Sequence, residues 1–97
     1  MRAFITVAHT QNLTQAAERL FLSQPAVSAQ IKAIESDVGT PLFIRTSNGM
    51  QLTRAGEVLL PEAEALMQHK HRLEKFAETL SEHFVFHAQL GLIHPIA

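Results

Sequence analysis

Two short helical stretches joined by a tight turn across residues 13–34, an Asn-Gly hairpin signal directly behind them, and a long helical periodicity from Arg54 onward predict a mainly α chain. The expected architecture is a winged helix-turn-helix, three helices with a two-stranded β-hairpin wing, followed by a long dimerisation helix.

The first helix begins at Met1, and Phe4, Val7 and Ala8 give it an apolar face to pack on the next two helices. Its N-terminus lacks an obvious cap. Thr14 is the expected N-cap of the second helix, which runs through Gln15, Ala16, Ala17, Glu18, Arg19 and Leu20. Ala16 and Ala17 are small where two helices must cross closely, and Leu20 and Leu22 supply apolar contact on either side of the turn. Ser23 caps the third helix, and Pro25 falls in its first turn, where a missing N–H costs nothing. Val27, Ile31, Ile34 and Val38 then form one inward apolar stripe at helical spacing. The opposite face carries Gln24, Ser28, Ala29 and Lys32. A glutamine can bond adenine in a bidentate way, a serine donates or accepts, and an alanine can touch a thymine methyl. Taken alone, these residues are equally well the solvent face of an amphipathic helix.

The next segment of the chain separates the two possibilities. Gly39 is a natural C-cap, and Pro41 stops the helix from resuming. Leu42–Thr46 is a short β-type run, Ser47-Asn48-Gly49 a turn, and Met50–Thr53 the returning run. A hairpin directly behind a helix that reads DNA is a wing. Arg45 lies on it, and its tip offers Ser47 and Asn48 for phosphate or minor-groove contact. Thr53 caps a further stretch that opens Arg54-Ala55-Gly56-Glu57.

With these residues in place, the sequence resembles the LysR-type transcriptional regulators in their N-terminal winged helix-turn-helix domain. The resemblance is carried by Ala16-Ala17-Glu18-Arg19-Leu20, Ser23-Gln24-Pro25-Ala26-Val27-Ser28 and Gln30-Ile31-Lys32-x-Ile34-Glu35. It continues through Gly39-x-Pro41-Leu42-Phe43-x-Arg45 and Leu52-Thr53-x-Ala55-Gly56, and covers residues 2–83, more weakly the last ten. It implies a prokaryotic, cytoplasmic regulator of double-stranded DNA that dimerises through a linker helix and binds an inverted repeat. By resemblance, Gln24, Pro25, Ala26 and Ser28 are the base contacts. Thr14, Lys32, Arg45 and Arg54 are candidates for backbone contact or site support, beside Ser47 and Asn48 at the wing tip. Ala29 stands where many relatives carry Arg, so no base contact is assigned to it. Relatives also have a few more residues before Arg2, so the first helix is expected to lack its opening turn. Ala88–Pro95 resembles the first strand of the family's effector-binding domain, which would need on the order of 200 further residues. The expectation is a DNA-reading fragment without its small-molecule effector site.

From Arg54 to about His83 one broad side stays apolar, with Val58, Leu59, Ala63, Leu66, Met67, Leu73, Phe76, Ala77 and Leu80. Pro61 falls within this stretch, where a kink or the loss of one hydrogen bond is expected. A helix of about 30 residues spans about 45 Å, longer than so small a domain covers with its own core. The stripe therefore needs a partner, and the same helix of a second chain is the expected one. Leu59, Ala63, Leu66, Met67, Leu73, Phe76 and Leu80 are the assigned interface. The alternative is that the stripe packs only on the winged domain.

Composition fits one small domain plus a helix. The 97 residues contain no cysteine, hence no disulfide framework, and no apolar run reaches membrane-spanning length. Net charge is −1, which argues against a DNA partner until the chain is divided. Residues 1–56 carry five Lys and Arg against three acidic residues, or +2, and residues 57–97 carry three against six, or −3. A surplus of +2 implies few phosphate neutralisations per subunit and a shallow salt dependence.

Six histidines raise a metal site. His69 and His71 point about 200° apart on a helix and cannot share an ion. His83 and His87 could share one if the helix persists that far, but no third ligand is evident. No metal or other cofactor is expected. There is no Gly-rich phosphate loop and no Ser or Cys with a positioned base, so enzymatic activity is not expected.

The expected organisation is a DNA-binding domain at 1–56, a linker helix at 57–84 and the start of an effector-binding domain at 85–97. Two functions fit this organisation. One is a dimeric, sequence-specific DNA-binding regulator. The other is a dimerisation-only module without useful DNA affinity, its winged domain loosened by the short first helix, forming mixed dimers with full-length relatives.

Overall fold

The structure, a computed structural model, describes the backbone of residues 1–89 and side chains as far as Glu82. Its elements are α1 (Arg2–Thr10), α2 (Leu13–Leu20), α3 (Gln24–Val38), β1 (Phe43–Thr46), β2 (Gly49–Leu52) and α4 (Arg54–Gln89). Three helices, an antiparallel hairpin and a long helix are the predicted architecture. Two units are distinguished, Met1–Met67 and one that begins at Gln68.

The first unit is assembled around side chains from the four helices and from the start of the hairpin. Phe4 and Val7 of α1, Val27 of α3 and Leu42 ahead of β1 are fully buried, with Ala3, Ala16, Ala17, Ile31, Phe43 and Ala63 around them. The Phe4 and Phe43 rings meet at a centroid distance of 5.5 Å and a tilt of 60°, a favoured aromatic geometry. Met1 stands at the N-cap of α1 without a side-chain cap, and its carbonyl still accepts from Ile5 N–H. Ala16 and Ala17 are buried at the helix crossing, as their size requires. Ala8 and Leu20 are half-buried beside the core, whereas Leu22 is exposed.

Two helix assignments differ from the sequence expectation. The N-cap of α2 is Asn12, whose side-chain oxygen accepts from Gln15 N–H at 2.9 Å. Thr14 therefore lies inside the first turn and caps nothing. Asn is the better cap, and starting the helix at Leu13 turns that side chain toward the core. In α3 the stripe of Val27, Ile31 and Ile34 faces inward, but Val38 is 46% exposed. The reason is length: α3 has 15 residues against nine in α1 and eight in α2, so its last turn overruns its partners.

The hairpin is one residue tighter than expected. Thr46 pairs with Gly49, so the loop is Ser47-Asn48 alone and Gly49 opens β2. Thr46 braces this loop, its hydroxyl donating to the Gly49 carbonyl and accepting from Asn48 N–H. Gly49 has φ +113°, and a Cβ there would run into the Gln11 carbonyl oxygen. Only glycine meets both demands.

Thr53 caps α4, accepting from Gly56 N–H at 3.1 Å. The helix continues through Pro61, whose ring supplies no N–H to the preceding turn. Leu59, Leu60 and Ala63 pack on the core around that point. Ala63, assigned to the dimer interface, is 2% exposed and belongs to the core of its own chain. Leu59 also packs there, half-buried. At the far end, α4 reaches Gln89, beyond the boundary expected at residue 84. Ala88 and Gln89 are thus helical, and the remainder of the expected strand, Leu90–Pro95, lies outside the described residues.

One backbone feature carries a stability prediction. The turn out of α2 closes with the Leu22 and Phe21 N–H groups bonded to the Ala17 and Glu18 carbonyls, which places Phe21 at φ +55°. That position usually holds Gly or Asn, and Phe21 is 94% exposed, so its ring gains almost no burial in exchange. Phe21→Asn should stabilise the chain by about 0.5–1 kcal/mol. Thermal unfolding should show a Tm about 3–6 °C higher. A lower Tm would mean that the Phe21 ring makes a stabilising contact in solution.

Candidate nucleic-acid interface

Ser23 starts α3 by accepting from Ala26 N–H at 3.2 Å, and Pro25 sits in the first turn. This fixes where the helix begins and leaves Gln24 and Pro25 exposed at its free end. Gln24 is tied across the turn: its Nε2 donates to the Thr14 hydroxyl oxygen at 2.9 Å. Ser28 is half-buried and Lys32 exposed further along, while Ala26 is half-buried against the turn.

The wing is fastened beside this helix at three points. The Glu35 carboxylate accepts from Leu42 N–H at 2.7 Å and from Phe43 N–H at 3.4 Å. Met50 N–H donates to the carbonyl of Gln11, the left-handed residue that ends α1. Thr53 donates its hydroxyl to the Pro41 carbonyl at 2.7 Å, and its N–H reaches the Leu42 carbonyl. The outcome is a trough between α3 and the hairpin, formed by two adjoining shallow depressions. One is lined by Thr14, Gln24, Arg45, Ser47 and their neighbours, the other by Ser28, Lys32, Glu35 and Arg45 among others.

The trough thus brings together Thr14, Gln24, Ser28, Lys32, Arg45 and Ser47. Asn48 stands at the exposed hairpin tip. Arg54 is apart from this group, at the start of α4, with its guanidinium 3.7 Å from the Glu57 carboxylate. Ser28, Lys32, Arg45 and Ser47 make no side-chain hydrogen bond among the described residues, and all but the half-buried Ser28 are exposed. Three groups that hold the site together carried no assigned role in the sequence: Asn12, the Gln11 carbonyl and Glu35. A signal for Glu35 existed, since Gly39 and Pro41 turn the chain back toward the last turns of α3 and leave the Leu42 N–H in need of an acceptor.

A short helix pair, an exposed helix start and a flanking hairpin define a winged helix-turn-helix domain. Residues 1–57 match the family described as bacterial regulatory helix-turn-helix protein, lysR family, and the chain belongs to that family. Among curated relatives it is similar to the HTH-type transcriptional regulator HdfR of Salmonella newport (strain SL254) and of Salmonella typhimurium (strain LT2). Each is 41% identical over 86 residues, covering 89% of this chain and 31% of the relative. The chain thus spans about a third of the length of the curated relatives it matches, and those relatives are transcriptional regulators. Among solved structures it is similar to the DNA-binding domain of CbnR in complex with DNA, at TM-score 0.76 and 34% identity over 82% of this chain and 92% of that one. The BenM DNA-binding domain bound to catB site 1 DNA gives TM-score 0.77 and 28% identity, over 82% and 90%. No helix among the described residues is long and apolar enough to cross a membrane.

Removal of the Glu35 acceptor tests how the wing is held. Glu35→Ala should cost about 1–3 kcal/mol in stability, because two part-buried N–H groups lose their partner. Hydrogen exchange at Leu42 and Phe43 should accelerate more than exchange within α1. Unchanged exchange at both would show that the wing is held without the carboxylate.

Proposed function

We propose that this chain is the DNA-reading part of a transcriptional regulator and binds an inverted-repeat site in double-stranded DNA as a homodimer. The observation that carries this reading is the exposed N-terminal end of α3 beside a wing fastened in place. A helix so presented fits the major groove with its first residues at the base edges. Gln24, Pro25, Ala26 and Ser28 are the proposed base contacts. Thr14, Lys32, Arg45, Ser47, Asn48 and Arg54 are the proposed backbone and wing contacts. The solved complexes of the CbnR and BenM domains with DNA support this placement. Full burial of Phe4 and Val7 supports a folded reading head despite the uncapped start of α1, against the dimerisation-only alternative. A role on DNA in a bacterial cell places the protein in the cytoplasm.

The proposed dimer uses α4. Leu66, Leu73 and Leu80 recur every seven residues and are exposed in the single chain, as is Phe76. A seven-residue apolar repeat is the pattern of paired helices. Met67 is half-buried at the edge of this stripe. Leu59 and Ala63 are not carried into the proposed interface, since both pack on their own core.

Selection of bound duplexes from a random pool, at low and moderate salt, tests the DNA reading. An inverted repeat is expected, with Gln24→Ala and Ser28→Ala each relaxing preference at one base pair by about 1–3 kcal/mol. No enrichment at either salt would favour the dimerisation-only module. Leu73→Glu or Phe76→Glu should convert the dimer to a monomer by sedimentation while the helical circular dichroism of the winged domain persists. A dimer surviving both changes would place the interface elsewhere.

A further inference from the structure

Gln24 and Thr14 make the one hydrogen bond between two side chains among the described residues, at 2.9 Å. Both side chains are exposed. Water competes for such a bond, so it adds little to stability. Its effect is orientation. A glutamine carboxamide has a donor branch and an acceptor branch, and rotation by half a turn exchanges them. Here the donor branch is held against α2. Oε1 is left without a partner among the described residues, and one N–H of the amide remains to be used.

We propose that Thr14 is the positioning residue that fixes how the Gln24 carboxamide meets its base, so that this position selects adenine. The inference rests on the DNA-reading role proposed above. Adenine shows the major groove an N6 amine that donates and an N7 that accepts. These complement the unpartnered Oε1 and the remaining N–H. Guanine shows two acceptors, O6 and N7, and would require the amide reversed.

The hydroxyl of Thr14 disfavours that reversal. In the observed arrangement it accepts from Gln24 and keeps its own proton to donate to a phosphate oxygen. With the amide reversed, the hydroxyl would have to donate to Oε1 and would have no proton left for the backbone. Thr14 therefore links one phosphate contact to one base contact, in a chain of hydrogen bonds that polarise one another.

The test uses the full chain and the duplex enriched by selection. The relevant base pair is the one whose preference disappears in Gln24→Ala. Affinity is compared for adenine at that position and for purine, which lacks the exocyclic amine. The wild-type chain should favour adenine about tenfold. Thr14→Val, which keeps the shape without the hydroxyl, should weaken binding to every duplex and also shrink the adenine preference toward that of Gln24→Ala. Thr14→Ser should retain the preference, and adding Thr14→Val to Gln24→Ala should remove no more of it. Thr14→Val with a uniform affinity loss and an intact preference would overturn the inference, leaving Thr14 a backbone contact alone. Guanine at the position lost in Gln24→Ala would overturn it too. Failure of the underlying DNA-reading role looks different: the wild-type chain would then enrich no sequence.

Discussion

Leu42 ties α3, the start of α4 and the core together through two hydrogen bonds and one buried side chain. Its N–H donates to the Glu35 carboxylate on α3, its carbonyl accepts from Thr53 N–H at the start of α4, and its side chain is fully buried in the core. Gly56 lies against the same carbonyl, so closely that a Cβ there would collide with it. The hairpin has two strands of four residues each and little burial of its own, and an isolated pair of that size is marginal in water. Its position is therefore set by these attachments and by the Gln11 carbonyl at its other strand. Without the junction at Leu42 the wing would have a shape but no fixed place beside α3.

The consequence for recognition is a helix held at both ends. At its start, Ser23 and the Thr14–Gln24 bond set the first turn, and near its end Glu35 sets the wing. Groups fixed in this way lose less conformational freedom on binding than free ones. That matters here because the charge surplus of residues 1–56 is only +2. Electrostatics alone would give weak, sequence-independent attraction. Specific binding has to come from placed hydrogen-bonding groups, and the proposed second subunit would double their number.

Much of the fold was legible because it rests on local rules. Ser23, Gly39 and Thr53 sit at the helix ends where their chemistry predicts, and Ala16 and Ala17 mark the crossing. The expectations that moved were those decided by competition or by long-range packing. Thr14 was the expected cap, but Asn12, two residues earlier, takes that position and leaves Leu13 half-buried beside the core. Val38 follows the spacing of the α3 stripe, yet the stripe's burial ends where α1 and α2 end. Ala63 shares the apolar side of α4 with Leu66 and Leu73, but only its own domain reaches it. The supporting bonds of the site were harder still. An acceptor such as Glu35 is indistinguishable from any surface carboxylate until the chain beyond Pro41 has returned to it.

The most direct measurement is the change in backbone amide resonances of the isotopically labelled chain as a duplex of its selected site is added. The largest changes are expected at residues 12–16, 24–32 and 45–49, the start of α2, the exposed face of α3 and the hairpin tip. Changes confined to α4, or spread evenly over the chain, would contradict a reading head built on α3 and the wing, and would place the nucleic-acid contact on another surface.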